Sequence, residues 1–138
     1  LVAVTDIIRS LQDNLKRNNA SIVLFSTVAA KKGFTNHSII SSAKSAVEGL
    51  TVSLAAELAP EIRVNCIAPS LTETGMTKSI ISNQNIRKAI ELLHPIPRIG
   101  KPSDHSKLAA YLLTSSSNWI TGQIFNIDGG RSTLRRKG

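Results

Sequence analysis

The sequence predicts an α/β fold, a parallel sheet layered between helices, from three observations: helix-like and strand-like segments alternate, the strand-like runs are short and apolar, and turn residues separate them. Parallel neighbours need a long crossover, which a helix between each pair of strands supplies. Residues 1 to 17 place Val4, Ile7, Ile8, Leu11 and Leu15 at three- and four-residue spacing, an amphipathic helix that Asn18 and Asn19 stop. Ser21 to Ser26 is β-branched and apolar on both faces, as expected of a strand buried between two helical layers. After a polar loop with Gly33, the spacing of Ile40, Ala43, Val47, Leu50, Leu54 and Leu58 predicts a helix over 38–58, closed by Pro60. Ile62 to Ile67 reads as the second strand. Residues 68 to 97 carry Pro69, Gly75, Pro95 and Pro97 around two weakly helical stretches, 76–82 and 85–93, and read as an irregular, lid-like segment. Ser103 and Asp104 open a helix running to about Thr114, and Gln123 to Ile127 make the third strand, ended by Asp128-Gly129-Gly130.

At 138 residues, with 41% hydrophobic and 4% aromatic side chains, the chain is long enough to bury a core and fits a single domain. No apolar run reaches the roughly 20 residues that span a bilayer, and Leu1 to Arg9 lack the features of a signal peptide, so a cytoplasmic location and no membrane partner are expected. A start at Leu1 rather than at methionine leads us to expect a segment of a longer polypeptide. Cys66 is the only cysteine, which excludes a disulfide framework, and His37, His94 and His105 lack metal-ligand spacing, so no metal is assigned. The net charge of +8 suits an anionic partner, but the charges are dispersed. Two clusters, Lys31-Lys32 and 131–137, carry no interleaved aromatic residues to stack on bases, so a solvated surface is expected and not a nucleic-acid interface.

Several stretches taken together resemble a known family. They are 21–27 (Ser-Ile-Val-Leu-Phe-Ser-Thr), Ala43-Lys44 through Glu48-Gly49-Leu50, 54–60 (Leu-Ala-Ala-Glu-Leu-Ala-Pro), Ile62-Arg63-Val64-Asn65, Trp119 to Gln123, and Asp128-Gly129-Gly130. In order and spacing they resemble the C-terminal half of a short-chain dehydrogenase/reductase, a family of NAD(P)-dependent oxidoreductases built on the Rossmann fold. The resemblance implies that residues 1–138 are the C-terminal portion of a single NAD(P)-binding domain, its last three parallel strands with flanking helices. The family's N-terminal dinucleotide-binding half, with its glycine-rich loop, is absent from this sequence. The chain alone is therefore expected to be inactive and to bind dinucleotide poorly. NAD or NADP is the expected cofactor of the intact protein and a small carbonyl or alcohol its substrate. Pairing through helices 1–17 and 38–58 and the last strand implies a homodimer or homotetramer.

Site residues follow by matching positions. The family's Tyr-x-x-x-Lys motif falls on Ile40 and Lys44: a phenol one helical turn from a lysine becomes a usable acid, whereas isoleucine donates no proton. The resemblance gives Lys44 a contact to the nicotinamide ribose, which survives without the phenol. The catalytic serine, thirteen positions before the tyrosine, corresponds to Thr27, with Ser26 as the other candidate; such a hydroxyl steadies a substrate carbonyl oxygen as hydride arrives, and a strand-end cap is the plainer alternative. Pro69 stands where the family has Pro-Gly, with Ser70 in place of the glycine. Thr74 matches the threonine that contacts the nicotinamide carboxamide, and Thr72 the position whose backbone binds the same group.

Three functions compete. An oxidoreductase needs another proton donor, for which Ser41 and His37 lie three and seven residues before Lys44; His37 is the better candidate because imidazole titrates closest to neutrality. A non-catalytic dinucleotide-binding relative would keep Lys44 and Thr74 without the acid. A nucleic-acid or anionic-surface binder rests on charge alone. Glu48 and Glu57 read as exposed helix positions, Trp119 as an anchor packing the last strand, and Ile80, Ile81, Leu92 and Leu93 as hints of an apolar substrate pocket.

Overall fold

The computed structural model describes residues 2–135. They form five α-helices, α1 (Val2–Arg17), α2 (Ser38–Leu58), α3 (Lys78–Ile81), α4 (Gln84–Glu91) and α5 (Pro102–Leu113), and three strands, β1 (Ser21–Phe25), β2 (Arg63–Pro69) and β3 (Ile124–Ile127). Every predicted element is present, with ends within two residues of those expected. Local chemistry explains the stops. Asn19 takes the left-handed conformation, φ 45°, so that the Ala20 N–H returns 3.0 Å to the Leu15 carbonyl and ends α1. The last strand stops at a turn that only glycine suits: Gly129 and Gly130 have φ of 62° and 85°, and a Cβ on Gly130 would lie 2.8 Å from Leu134.

The sheet is parallel in the order β1-β2-β3, with Ile22 opposite Val64 and Ile67 opposite Phe125. Side chains alternate along a strand, so Ile22, Leu24 and Val64 face one way and pack against Ile8 of α1 and Ala55 and Leu58 of α2. Arg63 and Asn65 face the other way, toward α5 and the turn after it. The Arg63 guanidinium donates to the carbonyls of Leu112 and Thr114 at 3.0 and 2.9 Å, and Asn65 Nδ2 to that of Ile120 at 2.9 Å. The expected three layers are therefore present: α1 and α2, the sheet, and α5.

Three expectations are corrected. β1 is only half-buried and its Phe25 is 46% exposed, because the described chain pairs it on one edge only. Glu48 is buried, held by a hydroxyl and an ammonium described below, while Glu57 is exposed as expected. Trp119 is 96% exposed and anchors nothing. Asn65 on the Ile120 carbonyl and the Thr121 hydroxyl on the Val64 N–H, 3.1 Å, hold that turn instead. No helix among the described residues is long and apolar enough to cross a membrane, and none of their side chains cluster as a metal site would require.

Candidate active site

Parallel strands end on the same side, so the loops after β1 and β2 converge beyond their carboxyl ends. Between them and α5 lies a cleft of about 1050 Å³ whose wall includes Thr27, His37, Pro69, Thr72 and Thr74. Residues far apart in sequence are thus brought together. Lys44 and Ile40 are not in that wall, but Lys44 Nζ donates 2.9 Å to the carbonyl of Phe25, which is. Ile40, one turn earlier on α2, is 45% exposed and carries no donor.

The two adjacent hydroxyls differ. Ser26 Oγ is turned into the protein, donating 2.9 Å to Glu48 Oε1, whose other oxygen lies 3.6 Å from Lys31 Nζ. Thr27 Oγ1 caps the short 3-10 turn Val28–Ala30, accepting from the Ala29 N–H at 3.3 Å and donating to the Pro69 carbonyl at 3.4 Å. Both bonds are long, so this hydroxyl can turn toward a ligand at small cost. His37 Nδ1 donates to the Thr35 carbonyl at 2.7 Å, a carbonyl being able only to accept, which leaves Nε2 as the ring's free nitrogen.

On the β2 side, Thr77 Oγ1 donates 2.6 Å to the Thr72 carbonyl and accepts from the Thr74 N–H at 2.9 Å, folding 72–77 into a tight turn. The Thr72 N–H makes no hydrogen bond to another described residue, although Leu71 and Glu73 beside it pair with Gly100. A free main-chain donor in the wall, with a threonine hydroxyl two residues on, suits a carboxamide, which needs both a donor and an acceptor. The cleft residues therefore fit a nicotinamide group.

Sequence reasoning missed the histidines. Ser70 Oγ sits 2.8 Å from His94 Nε2, whose Nδ1 donates 2.9 Å to the Ile90 carbonyl; Nε2 is then the acceptor and the serine the donor. Arg131 Nη1 donates to the same serine oxygen at 3.2 Å. Two residues on, Thr72 Oγ1 donates to the Ser70 carbonyl at 3.0 Å and so accepts from His105 Nε2 at 2.8 Å, leaving His105 Nδ1 buried without a partner. Burial lowers the His105 pKa, with Asp104 opposing, which disfavours the charged ring. The one signal in the sequence was Ser70 itself, a hydroxyl in place of a glycine, which needs a partner once it is enclosed. Of the apolar residues expected to line the pocket, Ile80 does, while Ile81 is outside its wall and Leu92 and Leu93 are exposed and outside it too.

The family model described as enoyl-(acyl carrier protein) reductase matches residues 1–132. A chloroplastic tropinone reductase homolog of Arabidopsis thaliana is 38% identical over 113 residues, covering 81% of this chain and 35% of the relative. A short-chain type dehydrogenase/reductase from Mycobacterium ulcerans superimposes with a TM-score of 0.86 at 29% identity, covering 94% of this chain and 48% of the other. ElxO with NADP bound gives 0.85 at 28% identity, covering 92% and 52%. The chain spans about half, or less, of the length of these proteins.

Proposed function

The chain belongs to the short-chain dehydrogenase/reductase family of oxidoreductases, and from that premise we propose that the intact protein transfers hydride between NAD or NADP and a small carbonyl or alcohol. The observation that carries this reading is the meeting of Thr27, His37, Thr72 and Thr74 in one cleft at the strand ends, with the Lys44 ammonium behind Phe25. Bound there, a nicotinamide supplies or accepts the hydride. The chain's own groups do the rest. The Thr72 N–H and Thr74 hydroxyl hold the carboxamide and Pro69 closes the wall behind them. Lys44 contacts the ribose once it leaves Phe25, and Thr27 steadies the carbonyl oxygen. Of the two serine-position candidates, Ser26 is committed to Glu48 and serves structure. As an imidazolium, with its Nδ1–H kept on the Thr35 carbonyl, His37 would give from Nε2 the proton that a tyrosine at position 40 would deliver.

Ile40 favours a second reading, a relative that binds the dinucleotide without turnover. Carbonyl reduction by the intact protein, by His37→Ala and by Ile40→Tyr separates the two. Wild-type turnover that His37→Ala abolishes supports the first reading, and turnover only in Ile40→Tyr supports the second. A homodimer or homotetramer in the cytoplasm, formed through α1, α2 and β3, completes the proposal.

A further inference from the structure

The cleft is mainly apolar, yet one guanidinium stands in its wall. Arg131 lies 4.6 Å over the Phe34 ring, and its only side-chain hydrogen bond among the described residues is that to Ser70. No carboxylate of the described residues lies within ion-pair distance of it. The acid nearest in sequence, Asp128, spends its two oxygens on the N–H groups of Gly130 and Ser132, at 2.8 and 2.9 Å. A second cation adjoins it, since Lys32 Nζ donates 2.9 Å to the Arg131 carbonyl. Burial pushes the Arg131 pKa down, with the nearby Asp128 charge opposing it only in part, as for a cation drawn out of water without a direct ion-pair partner. It stays charged, because guanidinium does not lose its proton in proteins.

We propose that Arg131 anchors the anionic end of the substrate, so that the cleft selects carbonyl compounds with an apolar body and a carboxylate. This rests on the reading of the cleft as a carbonyl site. Phe34 joins the two functions: its ring centroid is 5.6 Å from that of His37 and 4.6 Å from the Arg131 guanidinium. A keto acid therefore sets its carbonyl toward His37 and its carboxylate toward Arg131, where a planar fork of donors suits the two oxygens.

The test is calorimetric titration of the intact protein with benzoylpropionate and with its methyl ester, which share ring and ketone and differ in charge. The acid is expected to bind about tenfold or more tightly than the ester, as a charge-assisted pair in a partly dry site allows. Arg131→Met should bring the ratio near one, and Arg131→Lys should keep part of it. Equal binding of acid and ester, no measurable binding of the acid, or a ratio unchanged by Arg131→Met would overturn the proposal. So would a loss of NADPH affinity in Arg131→Met with the acid-to-ester ratio intact, which would assign the guanidinium to the cofactor. Failure of the wild type to bind NADPH, with the acid still preferred, would defeat only the cofactor reading.

Discussion

Ser26 and Thr27 show how one residue's partner decides its use. Removing the Ser26 hydroxyl leaves a buried Glu48 oxygen without its donor, so Ser26→Ala should cost about 1–3 kcal/mol in urea unfolding. Thr27 has only long bonds to lose, and Thr27→Val should stay within about 1 kcal/mol of wild type while lowering kcat of the intact protein at least about tenfold. His105 sets a pH dependence whose sign is fixed. Its folded-state pKa lies below the ordinary value of 6.5, so as pH falls below that value the unfolded chain takes up a proton that the folded chain refuses. Stability should therefore decline with acid over that window, and His105→Phe should flatten the decline in unfolding curves taken at successive pH values.

Among the elements, α5 is the clearest case of a helix specified at its start. Pro102 opens it, and Asp104 accepts from the Lys101 N–H at 2.7 Å and from both Arg98 terminal nitrogens at 2.6 and 2.9 Å. The Arg98 hydrogen bonds, then that of Lys101, hold the Asp104 carboxyl well below the usual aspartate range. Its contribution is present above that range and is lost as pH falls through the depressed value. Asp104→Asn should cost about 1 kcal/mol at neutral pH, measured by thermal unfolding, with the side chain's partial exposure limiting the figure. Such ends were legible in the sequence because stops and caps act over a few residues: Asn19, Pro60 and Asp104 each carry their own instruction. Glu48 and Trp119 were misread because burial depends on what folds onto a helix or turn from elsewhere. Glu48 meets Ser26 from twenty-two residues away, and the turn of Trp119 is held by Asn65.

For the molecule as a whole, the sequence carried the layer order and most of the cleft, since strand ends and loops follow from alternation of helix and strand. The histidine pairs to Ser70 and Thr72, and the isolation of Arg131, were not legible, because no periodicity or spacing links residues 70, 94 and 131. One edge of β1 has no partner among the described residues, and Phe25, Tyr111 and Leu113 stand exposed on β1 and α5. Such an edge pairs readily with another chain. The 138-residue chain by itself should therefore sediment as species larger than a monomer in analytical ultracentrifugation, and addition of excess NADPH should leave that distribution unchanged. A monodisperse monomer would mean that this edge is covered in some other way.

The most direct measurement is fluorescence titration of the intact protein with NADH and NADPH, before and after Lys44→Ala and Thr74→Ala. The account predicts that at least one of the two dinucleotides binds and that each substitution weakens it by about tenfold or more. No binding of either, or binding that both substitutions leave intact, would contradict the assignment of this cleft to a nicotinamide.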